Sequence, residues 1–266
     1  MTLYERLLHQ GRRLFTSRSV MPLLLLPFLG LALRESSDVE TAIGTTASSI
    51  VQWISLLIAL CGLLVRCMTV AFAADGTSAR DTRALRASGL NTTGMYSVVR
   101  HPLYLGAGLM WLGVAMSLRV WWLVIIVGFA YWVYIERVAM AEEAFLLDRF
   151  PDQFRQWVAR TPAFIPRWAG WQRSIHPFQA KRLLSEHNGL LAVTMLFVLL
   201  QYFEDLQRGG HTWASWYSGH RDLVFLAEFA MVVSVICILV RRSPWMRGDA
   251  TEPATQPATV EANAER

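Results

Sequence analysis

The run RHPLYLGAGLMWLGVAMSLRVWWLVIIVGFAYWVYIER, residues 100–137, decides the architecture. Two stretches of membrane-grade hydrophobicity, 101–118 and 120–135, are separated only by Arg119, so they read as two rods joined by a tight turn. Such a hairpin returns its two outer ends to the same side. Those ends are polar. The first rod opens on Arg100, His101 and Pro102, and the second closes on Glu136 and Arg137, followed by Glu142 and Glu143. Charge at the ends of spans costs free energy unless a partner or ligand compensates it. The two clusters are therefore the place to look for function.

The rest of the chain agrees with a membrane setting. Of 266 residues, 54% are hydrophobic and only 17% charged, a balance that fits a membrane protein better than a soluble domain. Further apolar runs cover 48–73 and 223–240, with weaker ones at 20–33, broken by Pro22 and Pro27, and at 189–203. The expected fold is all-α: a polytopic helical bundle of about six spans. Arg12, Arg13 and Arg18 before the first run resemble the start of a signal peptide, but Arg34-Glu35 follows where a small-residue cleavage site would stand. That run reads as a retained span.

Orientation follows from arginine. Arg6, Arg12, Arg13 and Arg18 precede the first span, and the next loop carries Glu35, Asp38 and Glu40. Arg80, Arg83, Arg86 and Arg100 follow the second span, and a dense basic series from Arg137 to Arg182 follows the fourth. With both termini cytoplasmic, the positive-inside rule holds apart from Arg119. Both polar clusters then face the cytoplasm, and the expected location is a bacterial inner membrane. The net charge of +5 needs no nucleic acid, because arginines beside spans meet anionic head groups. No zinc-finger, helix-turn-helix or RNA-binding pattern is visible. Cys61, Cys67 and Cys237 lie inside apolar runs and read as small buried hydrophobes, so no metal is expected.

Four regions result: an interfacial amphipathic segment 1–19, a core 20–166, additional C-terminal spans 167–247 and a disordered, Pro- and Thr-rich tail 248–266. The polar loop 75–93 reads as an ordered cytoplasmic loop. Phe145, Leu146, Phe150, Phe154 and Trp157 recur at amphipathic-helix spacing, with Pro151 forcing a kink or restart. Thr161-Pro162-Ala163-Phe164-Ile165-Pro166 reads as an extended cap. Trp121-Trp122 and Trp213, Trp216 and Tyr217 read as an outer aromatic belt, with His211 and His220 in that outer loop and not as ligands.

Proline suits the first turn of a helix, which sets Arg100 and His101 just before the start of the third span. Free N–H groups and the helix dipole favour an anion there. Tyr104 follows one turn along the face of Arg100, and a carboxylate of Glu142 or Glu143 can approach Arg137. Singly, Arg100 reads as a charge anchor, His101 as a cap, Tyr96 and Tyr104 as interfacial aromatics, and Glu142-Glu143 as a solvated face. Their joint spacing argues for a pocket matched to a zwitterion. Arg66, inside the second span, either snorkels or pairs with a carboxylate.

Gly94-Met95-Tyr96 with Arg100-His101-Pro102-Leu103-Tyr104-Leu105-Gly106, then Glu142-Glu143, Leu146, Phe150, Phe154, Trp157, Thr161-Pro162 and Ile165-Pro166, resembles the isoprenylcysteine carboxyl methyltransferase and phospholipid methyltransferase superfamily over residues 48–166. The resemblance implies an integral membrane enzyme using S-adenosylmethionine. It implies that Leu90, Asn91, Tyr96, His101, Pro102, Leu103, Tyr104, Glu142 and Glu143 hold the cofactor. Arg137 is the nearest match to the family's substrate arginine, with Arg100 as the other candidate. One departure stands out: the family's Phe-Gly-x-x-Tyr-x-x-Tyr reads Phe150-Pro151-Asp152-Gln153-Phe154-Arg155-Gln156-Trp157, without either hydroxyl or the glycine.

The expected reaction is methyl transfer to an anionic oxygen of a membrane lipid or lipidated substrate, where alignment supplies most of the rate. The stretches Gly76-Thr77-Ser78-Ala79-Arg80 and Asn91-Thr92-Thr93-Gly94 resemble bacterial members acting on lipid phosphates, lipid A among them. An isoprenylcysteine carboxylate and an amine head group are alternatives. From other classes, sterol reductases share the Arg-His-Pro-x-Tyr-x-Gly segment and bind NADPH, and a non-catalytic membrane protein is a third reading.

Overall fold

The computed structural model describes residues 1–17, 24–73, 89–209 and 212–243. Helix α1 (Leu3–Thr16) opens on a capping box in which the Thr2 side chain accepts from the Glu5 amide (3.2 Å) and the Glu5 carboxylate accepts from the Thr2 amide (2.8 Å). Its apolar side buries Gly11 and Phe15. Helix α2 (Leu26–Ile43) turns at Gly44, whose φ of +85° suits glycine, into α3 (Thr45–Ala71). Helix α4 (Pro102–Ser117) has Pro102 at its first position and His101 as its N-cap, as its sequence dictates. A turn at Arg119 leads to α5 (Trp121–Arg149), and α6 (Pro151–Arg160) restarts after the proline. After a largely irregular passage with one 3-10 turn at Trp168–Gly170 come α7 (Ala180–Leu183), α8 (His187–Arg208), α9 (Trp213–Gly219) and α10 (Arg221–Arg242).

Thr45–Ala71, Trp121–Arg149, Ala180–Gln207 and Arg221–Arg242 are each long and apolar enough to cross a membrane. The chain is an integral membrane protein of the helical class. Ile50, Trp53, Leu57 and Leu64 on α3, Phe129 and Trp132 on α5, and Phe225 and Phe229 on α10 point outward, an apolar surface that water would not tolerate and lipid does. The core binds α2, α3, α4, α5, α8 and α10 together through Leu29, Leu56, Val114, Leu123, Phe197 and Leu223.

Two of the six expected spans are shorter or more polar than the other four. The apolar α4 has 16 residues, short for a span, and α2 carries Arg34, Glu35, Asp38 and Glu40 within the helix rather than in a loop after it. Two of those acidic residues, Glu35 and Glu40, are compensated by partners on other elements. Arg119 pairs with Glu204 and with Glu40 (3.4 Å) and donates to the Ser36 hydroxyl (2.9 Å), while the Trp122 indole donates to Glu35 (2.7 Å). Arg119 is thus a buried link between α2, α8 and the α4–α5 turn, not a surface exception to the charge rule. Its φ of +61°, costing about 1–2 kcal/mol for a non-glycine residue, is held by those pairs.

Two other expectations change. Trp216 is 2% exposed, its indole donating to Asp205 (2.9 Å), so it belongs to the interior and not to an aromatic belt. His220 also faces Asp205, at 3.3 Å. Cys61 is exposed on α3 rather than buried. The loop at 75–88, the arginines at 80, 83 and 86, the start of the first apolar run, His211 and the tail after 248 lie outside the described residues.

Helices α3 and α4 meet backbone to backbone, as small residues permit inside a membrane. A Cβ on Gly62 would lie 2.4 Å from the Gly106 carbonyl oxygen, and one on Gly113 would lie 2.4 Å from that of Ser55. Gly113→Leu should therefore force the helices apart and cost about 1–3 kcal/mol, as overpacking does. A lower unfolding midpoint in detergent checks it; an unchanged midpoint would mean that the helices do not touch there.

Candidate functional site

The α4–α5 hairpin brings its two polar ends together. Tyr104, one turn into α4, donates its hydroxyl to Glu142 near the end of α5 at 2.5 Å. His101, the N-cap of α4, lies with Nε2 2.9 Å from Oε1 of Glu143 and Nδ1 3.7 Å from Oε2 of Glu142. Arg100 donates from Nε to the same Glu143 oxygen (2.9 Å) and from Nη1 to the Thr161 carbonyl (2.9 Å). One imidazole thus stands between two carboxylates, with a guanidinium behind one and a phenol on the other. Charge-assisted bonds of this kind are short and strong, which suits a site where few waters compete.

The extended cap after α6 builds the back of the site. The Arg100 amide donates to the Pro162 carbonyl (2.9 Å), that of His101 to Ala163 (3.3 Å) and that of Arg167 to Val98 (3.0 Å). Prolines at 162 and 166 keep this segment extended, so its carbonyls are free to serve residues 100 and 101. Phe164 stacks on the His101 ring, centroids 5.6 Å apart, and Tyr104 stacks on it at 5.8 Å. The imidazole is sandwiched.

Tyr96 sits in a short turn between Gly94 and Val98. Burial, then the nearby Glu142 charge, pushes its hydroxyl well above the usual tyrosine range, so it stays a neutral donor at pH 7. Its carbonyl accepts from the Trp157 indole at 2.8 Å. Where the related motif carries a tyrosine hydroxyl, this chain offers an indole N–H. Trp157 and Phe154 are both buried. Leu90 and the buried Asn91 lie in the irregular stretch that leads through Gly94 to Tyr96.

Arg137 does not approach the acidic pair. Its Nη1 donates to the Val133 carbonyl (2.7 Å) and lies 3.8 Å from Glu136, and its Nε donates to Gln10 of α1 (3.4 Å). The reason is helical phase. Five residues at about 100° each put Glu142 roughly 140° around α5 from Arg137. Arg100 is the guanidinium of the acidic pair. Arg66 takes the second of its two expected fates: Nε and Nη2 fork onto Glu186 at 2.9 and 3.4 Å.

Thr161, Phe164, Trp157 and Glu186 were not among the residues singled out for the site. Phe164 and Thr161 carried a signal, because an extended Pro-rich cap must satisfy its carbonyls somewhere. Glu186 carried none.

Comparison with known sequences comes to the same hairpin. A sequence model of the phospholipid methyltransferase family matches residues 51–153. The chain is 28% identical over 120 residues to the cobalt-zinc-cadmium resistance protein CzcN of Cupriavidus metallidurans, which covers 44% of this chain and 55% of that protein. It is 32% identical over 77 residues to the protein-S-isoprenylcysteine O-methyltransferase of Schizosaccharomyces pombe, covering 29% of this chain and 33% of the relative. The chain thus spans about half the length of the first relative and a third of the second. No solved structure matches. The similarity to the phospholipid methyltransferase family and to the S. pombe methyltransferase lies in the stretch from α3 to the start of α6.

Replacing Glu143 with Gln leaves Arg100 and His101 without their shared anion. Bonds to charged groups contribute about 1.5–3 kcal/mol each, so Glu143→Gln should lower the denaturation midpoint clearly. Thermal unfolding of the purified variant in detergent measures this, and a midpoint equal to that of the parent would contradict the pairing.

Proposed function

We propose that this chain is a membrane methyltransferase that uses S-adenosylmethionine to methylate an anionic oxygen on a membrane lipid or lipidated substrate. One observation carries the reading: Tyr104 of α4 and Glu142 of α5 share a 2.5 Å hydrogen bond, so the polar ends of two helices meet and would form one cup around the cofactor. The donor set suits the cofactor. Glu142 and Glu143 offer acceptors for an ammonium and for ribose hydroxyls, Tyr96 and Tyr104 bring phenol hydroxyls, and the positive end of the α4 dipole favours a carboxylate. Leu90, Asn91, Pro102 and Leu103 would line the same cup.

S-adenosylmethionine supplies an electrophilic methyl group on a sulfonium. The chain's own work is then positional. Glu142 would exchange part of its bond to Tyr104 for the cofactor amine or ribose, while His101, stacked between Phe164 and Tyr104, keeps the two carboxylates apart. Arg100, already paired with Glu143, would draw an anionic acceptor toward the cup, and Arg137, on another face of α5, would take no part in it. No general base is needed where the nucleophile is already ionised, so alignment of acceptor and donor supplies the rate.

For the acceptor, a lipid phosphate such as that of lipid A is the favoured reading, since a phosphomonoester uses arginine well. The S. pombe relative's name concerns isoprenylcysteine, which makes a carboxylate the second reading. Both readings take the termini and the cup as cytoplasmic, in a bacterial inner membrane.

Titration calorimetry on the purified chain should give binding of S-adenosylmethionine and none of NADPH. Glu142→Ala should abolish that binding; unchanged affinity in this variant, or NADPH binding in the parent, would refute the assignment. Mass spectrometry of lipids from cells with and without the chain should find a species heavier by one methyl group.

A further inference from the structure

The first turn of α4 is gripped from both sides. Two of its carbonyls, those of Leu103 and Tyr104, accept side-chain hydrogen bonds from neighbouring helices. Nη1 of Arg66 on α3 reaches the Leu103 oxygen at 3.5 Å, and the Tyr131 hydroxyl of α5 donates to the Tyr104 oxygen at 2.5 Å. Glycines make room for both. A Cβ on Gly106 would fall 2.6 Å from Cγ of Arg66, and one on Gly108 would fall 2.8 Å from the Tyr131 ring. No other side chain could stand at either place without pushing its visitor off the helix.

Arg66 is in turn fixed from outside the matched core. Its guanidinium forks onto Glu186, which is 7% exposed and lies in the turn just before α8. The passage leading to that turn is tied to the end of α3: the Gln179 amide donates to the Ala71 carbonyl at 2.8 Å, and the Arg182 side chain donates to that of Ala73. These ties hold Glu186 against Arg66, and Arg66 beside the first turn of α4.

We infer that Arg66, Glu186 and Tyr131 are positioning residues that clamp the first turn of α4 and so set the pose of His101 and Tyr104. By this account the C-terminal spans are a working part of the site and not an appendage. The consequence for cofactor binding rests on the function proposed above, whereas the clamp itself does not.

Three single variants of the full chain in detergent test it: Tyr131→Phe, Glu186→Gln and Arg66→Lys, with Gly113→Leu on the same α3–α4 seam as the control for general loosening. Hydrogen exchange read by mass spectrometry is the measure that does not need a ligand. Each clamp variant should raise exchange of the amides near residues 103–108 several-fold, with α8 and α10 unchanged, and Gly113→Leu should not reproduce that local pattern. Exchange at 103–108 equal to the parent's, or an equal effect from Gly113→Leu at a matched unfolding midpoint, would overturn the clamp. S-adenosylmethionine affinity should fall about tenfold in Tyr131→Phe and Glu186→Gln, as loss of one or two hydrogen bonds allows. If the parent binds no S-adenosylmethionine, the proposed function fails while the exchange result still decides the clamp.

Discussion

Glu142 and Glu143 are consecutive carboxylates near the end of an otherwise apolar helix, and each must be compensated where it stands. Desolvating an ionised carboxylate without a partner costs several kcal/mol, more than most single contacts return. The compensation comes from the opposite helix of the hairpin: Tyr104 for Glu142, His101 and Arg100 for Glu143. That requirement fixes the register of α4 against α5. It also explains why the tight Arg119 turn matters, since one more or one fewer residue there would rotate the donors away.

The pairing only works if α4 can lie close to its other neighbours. Gly62, Gly106 and Gly113 remove side chains along the α3 seam, letting backbones touch. Close approach strengthens dispersion contacts, which are what holds helices together where lipid is as apolar as the side chains. Gly11 does the same for α1 on α5, where a Cβ would meet the Arg137 carbonyl oxygen at 2.0 Å. The amphipathic N-terminal helix is thereby seated beside the hairpin that carries the site.

Much of this was legible in the sequence because it is local. Proline at the first position of α4 announces the helix start, the restart at Pro151 follows from its missing N–H, and the spacing from His101 to Glu143 needs only a hairpin to close. What stayed hidden depends on distant partners. Nothing near Glu35 or Glu40 says that Arg119 and Trp122 will neutralise them, so charge was read as loop. Arg137 looked close to Glu142 along the chain, yet helical phase separates them. Trp216 looked like a belt residue until Asp205 claimed its indole. Glu186, 120 positions from Arg66, leaves no trace in any local pattern.

The two ends of α4 obey one rule. Sixteen residues rise about 24 Å, short of the roughly 30 Å of a bilayer's hydrocarbon core, and Gly106 and Gly113 set this helix beside the middle of the longer α3. Both ends leave backbone groups and charges to be satisfied. At one end Arg119 gathers Glu204, Glu40 and Ser36 around itself. At the other, the same need is met by His101, Tyr104, Arg100 and two carboxylates, groups whose bonds would be traded for those of a zwitterion under the proposed function. A short helix thus leaves a polar cluster at each end, and under the proposed function the one built on His101 and the two carboxylates is the one that binds.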